Sequence, residues 1–123
     1  MFNPSLGFIL LFVENPLKSS AFYQNLFNLS PIEESPTFSL FALQNGVMLG
    51  LWSKFTAEPK VEACAGAQEI GFPAIEVDAL YEEWGKKEVT VLQKPCDMDF
   101  GRTFVIQDPD GHRIRVYKLR EEI

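Results

Sequence analysis

One order of segments, an apolar strand, an amphipathic helix and a hairpin, occurs twice in these 123 residues. The first copy opens on the apolar run Phe8–Val13 and breaks at Glu14-Asn15-Pro16, where Asn15 suits a helix N-cap and Pro16 its first turn. From there Leu17, Ala21, Phe22, Leu26 and Phe27 recur at helical spacing and predict one apolar helix face, stopped by Asn28 and Pro31. Thr37–Leu43 and Val47–Trp52 read as strands about Asn45-Gly46, a strong hairpin signal. Residues 54–68, with Pro59, Ala63, Ala65, Gly66 and Ala67, have no periodicity and read as a linker. The order then returns: a strand over Gly71–Val77, a helix capped by Asp78 and carrying Leu80, Tyr81 and Trp84, a strand over Val89–Leu92, and a hairpin of Thr103–Gln107 with Arg113–Leu119 about Asp108-Pro109-Asp110-Gly111. Val13 and Val77 stand at matching strand ends, 64 residues apart. A half of this size cannot bury a core by itself, so the repeat predicts an α+β domain over residues 1–123, built from two βαβββ modules at about 5–53 and 69–120.

Composition narrows the function. A net charge of −6 argues against nucleic acid, which demands clustered Lys and Arg; neutral or cationic ligands fit better. Cys64 and Cys96 are too few for a disulfide framework or a four-thiolate zinc site, so a reducing cytoplasm is the expected compartment. The run Leu6–Val13 lacks a preceding basic residue and is too short to cross a bilayer, and no membrane association is expected.

Two stretches, "LFVENPLKSSAFYQNLF" at Leu11–Phe27 and "DFGRTFVIQDPDGHRI" at Asp99–Ile114, resemble the opening strand and helix and the closing hairpin of the vicinal oxygen chelate superfamily. That group includes glyoxalase I, the extradiol dioxygenases, and the fosfomycin and bleomycin resistance proteins. The resemblance implies a curved mixed sheet around a cleft, completed in a homodimer, with one metal ligand on each of four strands in catalytic members. Carried over, those positions are Phe8, Gly50, Phe72 and Arg115. Two rings, a glycine and a guanidinium are not ligands for zinc or iron, and a permanent cation repels a divalent one. No metal and no cofactor are expected.

Because alternate strand residues share a face, Phe8, Leu10 and Phe12 should line one side of the cleft, with Met48, Gly50 and Trp52 and with Phe72, Ala74 and Glu76. With the final turn taken as Asp108–Gly111, Phe104 would oppose Arg115, and Glu76 would meet Arg115 across the cleft. Phe100 and Arg102 complete the candidate ligand-binding set of Phe8, Leu10, Met48, Gly50, Trp52, Phe72, Glu76, Phe100, Arg102, Phe104 and Arg115. The expected function is non-catalytic binding of a small aromatic or amphipathic molecule, such as an antibiotic, with resistance by sequestration. Two alternatives stand beside it. One is a metal-independent isomerase or lyase using Glu76 or His112 as base; the other is an interaction domain whose cleft is filled by its own phenylalanines.

Overall fold

The structure is a computed structural model and describes residues 2–120. It divides into two compact units, the first ending at Ala65 and the second starting at Gly66. The first holds β1 (Phe8–Val13), α1 (Pro16–Phe27), β2 (Glu33–Glu34), β3 (Phe38–Ala42) and β4 (Met48–Ser53). The second holds β5 (Glu69–Pro73), α2 (Val77–Gly85), β6 (Thr90–Met98), β7 (Gly101–Gln107) and β8 (Arg113–Leu119). Their four-stranded sheets run β1-β4-β3-β2 and β5-β8-β7-β6, one topology used twice. The predicted βαβββ modules are therefore present, and residues 54–68 lie outside helix and strand.

In the first unit, Asn15 caps α1 by accepting the N–H groups of Leu17 and Lys18, both at 3.2 Å, and Pro16 occupies the first turn. Asn28 ends the helix in the left-handed conformation. The face that α1 buries is only in part the predicted one, with Leu26 buried and Phe22 and Phe27 half-buried. Ser19, Ser20, Tyr23 and Leu26 are buried, whereas Leu17 and Ala21 are exposed. Small serines let the helix backbone approach the sheet closely, so polarity was a poor guide to its inner face. Beneath it lie Leu11, Val13, Phe41, Leu49 and Leu51, all essentially inaccessible. The β3–β4 connection is a tight turn with positive φ at both Asn45 and Gly46, as that dipeptide demands.

In the second unit, α2 packs on β7 through Trp84 and Tyr81, which meet the Phe104 ring edge-on at 5.7 and 5.4 Å. Here the sequence reading needs three corrections. The helix begins at Val77 with Glu76 at its cap, and Asp78 sits in the first turn, where it favours the helix dipole, without serving as cap. β6 runs from Thr90 to Met98, well past the expected end at Leu92, and takes in Cys96. Pro95 is tolerated there because β6 is an edge strand whose pairing with β7 is broken by register shifts. Finally, the β7–β8 turn spans residues 108–112 and is closed by the Asp108 N–H to His112 carbonyl bond at 2.9 Å. One extra turn residue moves the register by one, so Phe104 pairs with Val116 and Val105 with Arg115.

Candidate functional site

The face of the first sheet turned from α1 carries a cavity of about 560 Å³. Three of its walls come from alternate residues on adjacent strands: Phe8 and Leu10 of β1, Met48 and Trp52 of β4, Phe38 and Leu40 of β3. Register aligns them in rows. Leu10, Gly50, Leu40 and Glu33 lie side by side across all four strands, and Phe12, Trp52 and Phe38 form the next row. The Trp52 indole is held between Phe12, at 6.4 Å between ring centres, and Phe38, edge-on at 6.1 Å. Gly50 lies beneath Leu10 and Phe38. A Cβ there would come within 2.5 Å of Leu10 Cδ2 and 3.3 Å of Phe38, so these two side chains already fill the room that the missing one leaves. Phe8 stays 60% exposed, and each ~40 Å² of such surface that a ligand covers is worth about 1 kcal/mol.

Four candidates from the sequence, Phe8, Leu10, Met48 and Trp52, thus meet at one cavity above Gly50. Phe38, Leu40 and Glu33 were missed. For the first two, counting back from Leu43 and Val47, which close a three-residue Gln44–Gly46 turn, sets Leu40 against Gly50 and Phe38 against Trp52, whereas a two-residue Asn45-Gly46 turn would have set both one residue off. Glu33 had no such signal, because β2 is only two residues long.

The corresponding face of the second sheet is ionic. Arg115 Nε donates to Glu69 at 2.8 Å, and its Nη1 reaches Thr103 Oγ1 at 3.2 Å and Gln93 Oε1 at 3.3 Å. Its guanidinium carbon lies 5.9 Å from the centre of the Phe100 ring. The other oxygen of Glu69 takes Arg113 Nε at 2.8 Å. The hydrogen bond from Arg115, foremost, holds the Glu69 carboxyl below its ordinary range, against the opposing pull of desolvation.

Phe100 therefore stays with Arg115, but four other candidates do not. Phe104 is fully buried under α2. Phe72 pairs with Val116, whose side chain faces α2, so it too lies on the face opposite Arg115. The error came from the anchor: Val77 begins α2, as Pro16 begins α1, and is not the counterpart of Val13. In the parallel pairings, Phe8 opposite Met48 corresponds to Glu69 opposite Arg113. The strand offset is 61 residues, from Phe8 to Glu69, and the odd difference of three from the predicted 64 reverses every face. Glu76 is exposed at the start of α2, and the partner of Arg115 is Glu69. Arg102 grips both Asp78 oxygens, at 3.0 and 2.9 Å, and Asp97 at 3.3 Å; it pins β7 to the first turn of α2. That grip, foremost the hydrogen bond, lowers the Asp78 pKa.

His112 is buried, and the N–H groups of Gly66 and Gln68 point at its Nε2 and Nδ1 from 3.2 and 3.1 Å. A neutral imidazole has one acceptor nitrogen, so one of the two is a full hydrogen bond. The ring fastens the chain entering β5 and is not placed as a base beside Arg115. At the four metal positions implied by the resemblance, with Glu69 now in place of Phe72, stand a ring, a glycine, a carboxylate clasped by two guanidinium groups, and one of those guanidiniums. This donor set does not fit a metal. Among the described residues, no group of three or more His, Cys, Asp or Glu side chains is placed to hold one.

The chain is 34% identical to the phenazine antibiotic resistance protein EhpR of Enterobacter agglomerans over 116 residues, covering 89% of this chain and 88% of that one. The solved structure of protein ATC0852 from Agrobacterium tumefaciens matches with a TM-score of 0.81 at 44% identity, covering 95% of this chain and 98% of the other. TnmS3, an antibiotic binding protein from Streptomyces sp. CB03234, matches with a TM-score of 0.77 at 20% identity, covering 97% and 98%, and so shares the fold. The family pattern covers residues 5–116, and the chain belongs to the Glyoxalase/Bleomycin resistance protein/Dioxygenase superfamily.

Proposed function

We propose that this chain binds small, planar, aromatic molecules of antibiotic type without transforming them, and protects by sequestration. The carrying observation is the cavity in which the rings of Phe8, Phe38 and Trp52 stand with Leu10, Leu40 and Met48. Its volume of about 560 Å³ lies within the range of small-molecule sites. Rings held by their neighbours offer stacking area at little further entropic loss. The family relative concerned with phenazine resistance supports the same ligand class.

The reading includes a homodimer in the cytoplasm, since the exposed apolar side chains Leu6, Ile32, Phe55 and Ile75 favour a further burial partner. No helix among the described residues is long and apolar enough to cross a membrane. Equilibrium dialysis of the purified chain against phenazine tests the binding: saturable uptake with unchanged phenazine recovered supports it, and absence of uptake or chemical conversion refutes it. Sedimentation at about twice the 14.0 kDa chain mass checks the dimer.

A further inference from the structure

We propose that the cavity of the first sheet selects organic cations, with Glu33 as the residue that determines this preference; the proposal rests on the small-molecule reading above. Of the seven side chains that line the cavity, six are apolar and the seventh is Glu33. Glu33 pairs with Leu40, so its side chain shares the face of the cavity, while its neighbour Glu34 pairs with Ser39, which is buried on the side of α1. No arginine, lysine or histidine lines the cavity, and among the described residues Glu33 makes no ion pair.

The contrast with Glu69 is direct, because that carboxylate is engaged by two guanidinium groups that already offset its charge. Glu33 has its full accepting capacity. The π faces of Phe8, Phe38 and Trp52 act in the same sense, since an aromatic ring attracts a cation within about 6 Å of its centre. A ligand carboxylate would meet a like charge with no cation to offset it. The chemistry that fits is a flat ring system carrying a protonated or alkylated nitrogen at one edge, its rings against Trp52 and its charge toward Glu33.

The test is equilibrium dialysis of the full chain with three probes of one ring shape, at mildly alkaline pH where acridine is uncharged: N-methylacridinium, acridine and an acridine carboxylate. N-methylacridinium should bind roughly three- to tenfold more tightly than acridine, and the carboxylate most weakly. Glu33→Gln should bring the cation-to-neutral ratio to near unity; because a ratio is read, any general effect of the substitution on the cavity cancels. Glu34→Gln removes the same charge from the opposite face and should leave the ratio as it was. A ratio that survives Glu33→Gln, or that falls equally with Glu34→Gln, overturns the proposal, the latter by assigning the preference to overall charge. Affinity for N-methylacridinium that declines as protein concentration rises would show the cavity occupied by a second copy, and overturns it as well. Binding of acridine without charge preference sinks this proposal alone, whereas no binding by any probe sinks the small-molecule reading with it.

Discussion

The two sheets share strand order and pairing directions, yet their faces turned from the helices have opposite chemistry. In the first, Phe8, Leu10, Trp52 and Met48 surround Gly50; at the corresponding positions of the second stand Glu69, Gly71, Tyr117, Arg113 and Arg115. Each central pair contains one glycine, but on opposite strands. Gly50 lets Leu10 and Phe38 fold over β4, while Gly71 leaves β5 open to the Tyr117 ring, 3.3 Å from where its Cβ would be. The helix-facing residues, by contrast, are mostly apolar in both: Leu11, Leu49 and Leu51 beside Ser39 in one, Ile70, Ile114 and Val116 in the other. Stability constrains the buried face through packing, and leaves the opposite face to function.

The largest effect should come from striking the two faces in turn. Phe104→Ala, beneath Trp84 and Tyr81, should cost about 3–5 kcal/mol in denaturant unfolding, and Phe8→Ala, already 60% exposed, within about 0.5 kcal/mol. Equal losses would mean that the Phe8 face is core after all. Next in size, Trp52→Ala should weaken binding of a planar aromatic probe by about 1–2 kcal/mol, the scale of one lost aromatic stack, with little change in melting temperature. A normal affinity in that variant would move the site elsewhere.

Arg115→Met then probes the ionic face. It removes a guanidinium that bonds Glu69, Gln93 and Thr103, and a loss of about 1–2 kcal/mol in unfolding is expected, with phenazine binding at the first sheet unaltered. Loss of phenazine binding in this variant would join the two faces functionally and break the comparison.

Acid gives the smallest effect. Because pairing lowers the Glu69 pKa in the folded chain, its contribution is present above the ordinary value of 4.5 and is lost as pH falls through the lowered folded value. With over a third of that side chain exposed, solvent screening keeps the contribution under about 1 kcal/mol. Glu69→Gln should therefore flatten the acid limb of melting temperature against pH slightly. An identical limb in both proteins would leave the clasp without energetic weight.

Much of the fold was legible because its signals are local. Asn15-Pro16, Asn28 and Asn45-Gly46 each dictate backbone geometry without outside help, and each stands where it was expected. Faces were harder, since they depend on counting. One residue at the Asp108–His112 turn reversed the predicted surroundings of Phe104, and an odd misalignment of the first strands reversed Phe72. The apolar wall of Phe8, Leu10 and Trp52 was legible because its strand ends were placed correctly. Glu33 was not, because a two-residue strand has no period to read.

Gly50 also bears on how this scaffold can change over time. The resemblance places a metal-binding carboxylate at that position in catalytic members, yet here even a methyl group would come within 2.5 Å of Leu10. A side chain there requires the tip of Leu10 to turn aside, and that reshapes one wall of the cavity. A side chain at residue 50 and the tip of Leu10 thus compete for one patch of sheet, so the shape of the aromatic cavity is tied to the glycine beneath it.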